Sequence, residues 1–127
     1  MTRRLLTTAT VALVALSLGA GSAAAAGPTA TAALKTCSSP NSPKYPSSKG
    51  GYFTKLIVDG LSCADGKKVM MAHARCRLDN GLKGKCPSVK SYTCTQRAGE
   101  VSSTEYNARV TCKKGNRRVQ YFFQQNL

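Results

Sequence analysis

The chain has 127 residues, of which 19 are Lys or Arg and 5 are Asp or Glu, so its formal net charge is +14. It contains six cysteines, one histidine and no tryptophan. This length allows one domain and excludes the large cofactor-binding barrels, which need roughly 200 residues or more.

The first 26 residues have the features of a secretory signal peptide. Arg3 and Arg4 form a basic start, an apolar stretch runs from Leu5 to about Ala20, and residues 23–26 are small. Scattered Thr and Ser dilute this stretch and no basic cluster follows it, which argues against a membrane anchor. We expect cleavage near Ala26 and a secreted protein, in which cysteines are paired.

Residues 27–51 are predicted to form a flexible arm. Its second half is rich in Ser, Pro and Gly, with three prolines that prevent regular structure and few groups to bury. Cys37 stands at the head of this run, so one disulfide would attach the arm to a domain formed by residues 52–127.

The first elements of that domain are a strand and a helix. Residues 52–58 are aromatic and β-branched and are followed by Asp59-Gly60, which predicts a strand. Ser62 is a suitable N-cap for a helix from Cys63 to about Leu78, ending at Asn80-Gly81. The residues predicted to be buried share one sector of this helix: Val69, Ala72, His73, Cys76, Cys63, Met70 and Ala74. The opposite, charged side carries Lys68, Arg75 and Asp79.

The rest of the chain is predicted to form an antiparallel sheet. After a loop at residues 82–88, residues 89–96 alternate as one strand, and residues 98–105 form a further loop. Gly115-Asn116 is a typical two-residue hairpin turn, which would place Cys112 opposite Val119 and continue that pairing along both strands. The predicted fold is α+β, with one amphipathic helix packed on a small antiparallel sheet and stapled by disulfides.

Six cysteines allow fifteen pairings, and spacing does not choose among them. Cys76 and Cys86 are close enough in sequence for a local bridge. Cys63 on the helix would join Cys94 or Cys112 on the sheet, and Cys37 would take the remaining partner. A zinc site is not expected because the chain has no C-x₂-C pair and has only one histidine. We expect neither metal nor cofactor.

His73, the one histidine, lies in the middle of the predicted apolar helix face. A buried histidine in such a position usually has both ring nitrogens hydrogen-bonded, and a catalytic base needs a partner within hydrogen-bond reach. On paper, His73, Glu105 and Arg109 would make the acid–base set of a small secreted ribonuclease, but no ribonuclease motif surrounds them. We therefore assign no catalytic residue and favour a protein that is not an enzyme.

Basic residues supply two candidate binding regions. Arg109, Lys113, Arg118 and Phe122 fall on the outer face of the predicted hairpin, where Lys113 and Arg118 would form a like-charge pair. A basic face of this kind suits an anionic polymer, a lipid surface, an acidic protein or a nucleic acid. The aromatic residue favours a nucleic acid that is single-stranded. Separately, Lys83 and Lys85 precede Cys86-Pro87 in a loop that would suit a protease inhibitor.

Several short motifs resemble those of a group of small secreted actinobacterial proteins of unassigned function. They are Gly60-Leu61-Ser62-Cys63 at the helix start, Tyr92-Thr93-Cys94, and Val110-Thr111-Cys112 before a glycine turn and an aromatic final strand. The resemblance covers about residues 52 to 125 and implies export and a similar fold. It transfers no functional residue, and this chain departs from the pattern with Cys37, Cys76 and Cys86.

Together these features predict a secreted, basic, monomeric protein that binds an anionic extracellular partner, namely an envelope polymer, a lipid or a nucleic acid. A small protease inhibitor and a small hydrolase such as a ribonuclease are the alternatives.

Overall fold

The computed structural model describes residues 33–127, so the predicted signal peptide and the first residues of the predicted arm lie outside the described part of the chain. Within this range, one helix packs on a six-stranded antiparallel sheet, which confirms the predicted fold class. The strand order is β1-β2-β6-β5-β4-β3. The elements are β1 (Lys35–Thr36), β2 (Gly51–Asp59), α1 (Cys63–Asp79), β3 (Ser88–Val89), β4 (Tyr92–Val101), β5 (Glu105–Lys114) and β6 (Arg117–Asn126).

The final hairpin has the predicted register. β5 and β6 are joined by Gly115-Asn116, and Cys112 lies opposite Val119. The next inward-facing pairs are Val110 with Tyr121 and Ala108 with Phe123, all of them buried. Strict alternation explains this agreement, because a slip of one residue would turn every apolar side chain toward solvent.

The helix also begins and ends where its capping residues predict. The Ser62 side chain accepts a hydrogen bond from the Asp65 amide, and Asn80 is the C-cap, followed by Gly81 with φ of 97°. Val69, Met70, His73 and Ala74 are buried against the sheet, as predicted. Met71 and Arg77 are buried as well, which the predicted sector did not include. Among residues 33–127, no helix is long and apolar enough to cross a membrane.

The stretch predicted as one strand, residues 89–96, is instead divided by a turn. Lys90 and Ser91 have φ of 49° and 63°, and the turn they form separates β3 from β4. Turns of this kind usually contain Gly or Asn, so the sequence carried no signal for it. β4 then continues to Val101, which shortens the predicted loop at residues 98–105.

The described part of the predicted arm packs against the domain. β1 pairs with the far edge of β2, and Cys37 is buried. The ring of Tyr45 is buried between Phe53 and Phe123, at centroid distances of 5.0 and 5.6 Å. Strand pairing, the buried Tyr45 ring and the Cys37–Cys63 disulfide thus hold this segment on the core.

Three disulfides pair all six cysteines. Cys76–Cys86 is the predicted local bridge. The predicted bridge from Cys63 to the sheet is wrong: Cys63 binds Cys37. Cys94 and Cys112 bind each other because they lie directly opposite on β4 and β5, with Cα atoms 4.0 Å apart.

Candidate anion-binding face

The sheet face turned away from α1, here called the outer face, is built from alternate residues of the strands. In β6 the inward residues are buried, whereas Arg118, Gln120, Phe122 and Gln124 between them are half-buried and point outward. The other side chains of the outer face that matter below are Tyr52, Lys55, Arg97, Asn107, Arg109, Thr111 and Lys113.

A row of three cations and one aromatic side chain crosses the middle of the outer face. In register order, Arg97 of β4 lies opposite Arg109 of β5, which lies opposite Phe122 of β6. Phe122 in turn lies opposite Lys55 of β2. Neighbouring strands are about 4.8 Å apart, so these four side chains, the central basic row, are direct neighbours.

A second pair of basic residues lies nearer the hairpin turn. Lys113 and Arg118 are directly opposite each other, as predicted. Arg118 Nη2 is 3.4 Å from Asp59 Oδ2, so this cation has a carboxylate partner. Arg97, Arg109 and Lys113 make no ion pair with any residue of the described range, and they leave uncompensated positive charge along β4 and β5.

Two shallow cavities lie on either side of the Arg97–Arg109 pair. One of about 360 Å³ includes Phe122, Asn107 and Gln124 in its lining. The other, of about 330 Å³, is lined by threonine, glutamine and Lys113 side chains. Both arginines line both cavities, so an anion in either one would lie beside the same two basic residues.

The opposite end of the outer face is acidic. Glu100 and Glu105 line a hollow of about 420 Å³ together with Asn107 and Ser102. An anionic chain is therefore favoured over the central basic row and toward Lys113 and the hairpin turn, and disfavoured beyond Asn107, where the acidic hollow begins.

All four residues predicted for a polyanion site, Arg109, Lys113, Arg118 and Phe122, lie on this one face. Arg97 was not among the predicted residues, because the predicted strand ended at residue 96. Extending the alternation from Thr93 and Thr95 would have found this arginine. Lys55 was hidden by a β-bulge at Thr54, which lets Phe53 and Leu56 both point inward although three residues apart.

His73 is a core residue whose two ring nitrogens both have partners. The Tyr121 hydroxyl donates to Nδ1 at 2.6 Å, and Nε2–H donates to the Cys86 carbonyl at 2.9 Å. Burial lowers the pKa of His73 below 6.5, outweighing the Cys86 carbonyl, which favours the protonated ring. The sheet separates His73 from Arg109, so the acid–base set with Glu105 is not brought together.

His73 also lies near a disulfide. Its ring and the sulfurs of Cys94 and Cys112 are within 4.8 Å of one another. Both sulfurs belong to one disulfide, so they offer no thiolate to a metal ion.

Arg77 is the most unusual buried side chain, with no exposed surface. It donates to the Leu82 carbonyl at 2.7 Å and to Tyr45 Oη and Gln125 Oε1. Its guanidinium carbon is 4.3 Å from the centre of the Phe123 ring, close enough for a cation–π contact. Neutral oxygens and aromatic rings thus hold this cation. Its position four residues after His73 places it on the same helix face, a signal available in the sequence.

The Lys83–Lys85 loop is fastened to the core through its main chain. The Leu82 carbonyl accepts hydrogen bonds from Arg77 and Gln125, and the Lys85 carbonyl accepts one from Asn80. Both lysine side chains are exposed. The loop is therefore held at both ends while its two lysine side chains are exposed, and its role as an inhibitory loop stays a prediction.

Comparisons with protein-family models, curated proteins and solved structures find no match. The resemblance to small actinobacterial proteins stays a prediction.

Proposed function

We propose that this protein is a secreted, monomeric, non-enzymatic binding protein that holds an anionic polymer on its outer face. The facing pair Arg97–Arg109 carries the proposal. Two arginines directly opposite each other on neighbouring strands repel, and neither has a carboxylate partner among residues 33–127. An anion bound between them would relieve that repulsion and accept hydrogen bonds from both.

The surroundings of this pair support the same role. Arginine presents a planar group that can bind a phosphate or carboxylate through two hydrogen bonds. The charge imbalance extends the favourable field beyond the row, because the described residues include 17 basic and 5 acidic side chains. Such a field speeds encounter with a polyanion and makes binding depend on salt.

The test is a titration with labelled polyanions at low and moderate salt. The oxidised protein is compared with its Arg97→Gln and Arg109→Gln variants against polyphosphate, an oligonucleotide, envelope polymer and anionic vesicles. We expect one or more of these ligands to bind, and each substitution to weaken binding severalfold and to reduce the salt dependence.

The matched control is Arg75→Gln, which removes the same charge from the exposed side of α1. If Arg75→Gln weakens binding as much as Arg109→Gln does, net charge alone attracts the polymer and the outer face is not the site. If none of the polyanions binds at low salt, the proposed function is wrong.

A further inference from the structure

We propose that the polymer is a single-stranded nucleic acid, whose phosphates bind the cations of the outer face and whose bases stack on Phe122 and Tyr52. This inference rests on the proposed function and names the class of ligand. The observations behind it are aromatic and amide side chains, which attraction between charges alone would not require.

Two aromatic rings lie on the outer face. Phe122 lies within the central basic row, between Arg109 and Lys55. Tyr52 is 43% exposed, on the strand beside β6. Its hydroxyl donates to Gln124 Oε1 at 2.6 Å, which holds the ring in place. Aromatic rings beside cations are the arrangement on which proteins stack unpaired bases.

The cavity at Phe122 also offers hydrogen-bonding groups suited to base edges. Asn107 and Gln124 line it together with Arg97 and Arg109. Asn107 Oδ1 is a buried atom that has no partner among the described residues. A buried acceptor without a donor is unfavourable, and rotation of the Asn107 amide toward the cavity would let an amino or imino group of a base supply that donor.

The other anionic ligands use these features less well. A lipid headgroup or a polyol phosphate provides charge but no flat ring to cover Phe122 and Tyr52. A duplex keeps its bases stacked inside the helix, so it would meet the cations only. A single strand uses the cations, the rings and the amides together.

The experiment compares two labelled ten-nucleotide ligands of equal charge, oligothymidylate and its abasic analogue, by fluorescence anisotropy at about 0.1 M salt. We expect oligothymidylate to bind at least about tenfold more tightly, since stacking on one or two rings supports a difference of that size. Phe122→Leu should remove most of the difference, whereas Arg109→Gln should weaken both ligands by the same factor.

Tyr52→Leu is a second variant at a more exposed position, so it tests stacking even if Phe122→Leu does not fold. Cross-linking of iodouridine-containing oligonucleotide, mapped by mass spectrometry, should locate adducts at Phe122 or Tyr52. Equal affinity for the two ligands, with Arg109→Gln weakening both, would overturn the nucleic-acid inference and leave the proposed function standing. If neither oligonucleotide nor any other polyanion binds, the nucleic-acid inference and the proposed function are both overturned.

Discussion

The repulsion between Arg97 and Arg109 gives a prediction about stability that does not depend on knowing the ligand. The two exposed side chains lie directly opposite on β4 and β5, in an arrangement that destabilises a sheet by roughly 0.2–1 kcal/mol. Coulomb's law at a separation of about 6 Å in water gives a similar value, about 0.7 kcal/mol. Arg109→Gln should therefore raise the free energy of unfolding by about 0.5 kcal/mol.

For a domain of this size that gain corresponds to an increase in Tm of about 2–4 °C. Urea unfolding, followed by circular dichroism, is the suitable assay because urea is uncharged. The gain should be present at 0.1 M salt and nearly absent at 1 M, where the screening length falls from about 10 Å to about 3 Å.

A double-mutant cycle isolates the interaction between the two arginines. Arg97→Gln and Arg109→Gln should each be stabilising, and the double variant should be little more stable than either, because the first substitution already removes the repulsion. Arg75→Gln on α1 is the control for net charge. The reasoning is refuted if the two single effects add, or if Arg75→Gln stabilises the protein equally.

Three further predictions concern the core. Because burial lowers the pKa of His73, the unfolded state binds an extra proton below pH 6.5. The urea midpoint of unfolding should therefore fall as the pH is lowered from 6.5, and it should fall less in a His73→Gln variant. If His73 instead raised the midpoint at low pH relative to that variant, the lowered pKa would be contradicted. Tyr121→Phe removes the donor to His73 Nδ1 and should lower stability by about 1–3 kcal/mol in thermal unfolding, so an unchanged Tm would argue against that bond. In Gly66→Ala the new Cβ would overlap with Val58 Cγ1. We expect thermal unfolding to show a loss of about 1–3 kcal/mol from overpacking, although alanine usually stabilises a helix. A gain in stability would show that the helix and sheet can move apart without loss.

Measuring stability and polyanion binding on the same Arg109 variant would test whether the two properties oppose each other. A substitution at Arg109 that stabilises the fold and weakens polyanion binding would indicate that the facing arginines are retained for binding at the expense of stability.

Arg77 is expected to behave differently, because its guanidinium lies inside the core and is bonded to Leu82, Tyr45 and Gln125. Its truncation would remove one donor from each of these three oxygens and leave only the Tyr45 hydroxyl without a donor, because the Leu82 carbonyl and Gln125 Oε1 each keep another.

Local sequence signals determined the helix and the last hairpin. Ser62 and Gly81 delimit α1 because capping and the left-handed conformation are properties of a few adjacent residues. Strict alternation around Gly115-Asn116 set the register of β5 and β6, and with it the common face of Arg109 and Phe122. These conclusions required no knowledge of distant parts of the chain.

Tertiary structure alone decided which distant groups meet. Nothing near Cys63 in sequence distinguishes Cys37 from the cysteines of the sheet, and the choice follows from where the N-terminal segment crosses the core. The bulge at Thr54 and the turn at Lys90 are also set by packing, because neither position has a residue that requires it. Arg97 joins Arg109 for the same reason: their pairing is a property of the assembled sheet, and a sequence lists strands without stating how far each one extends beside its neighbour.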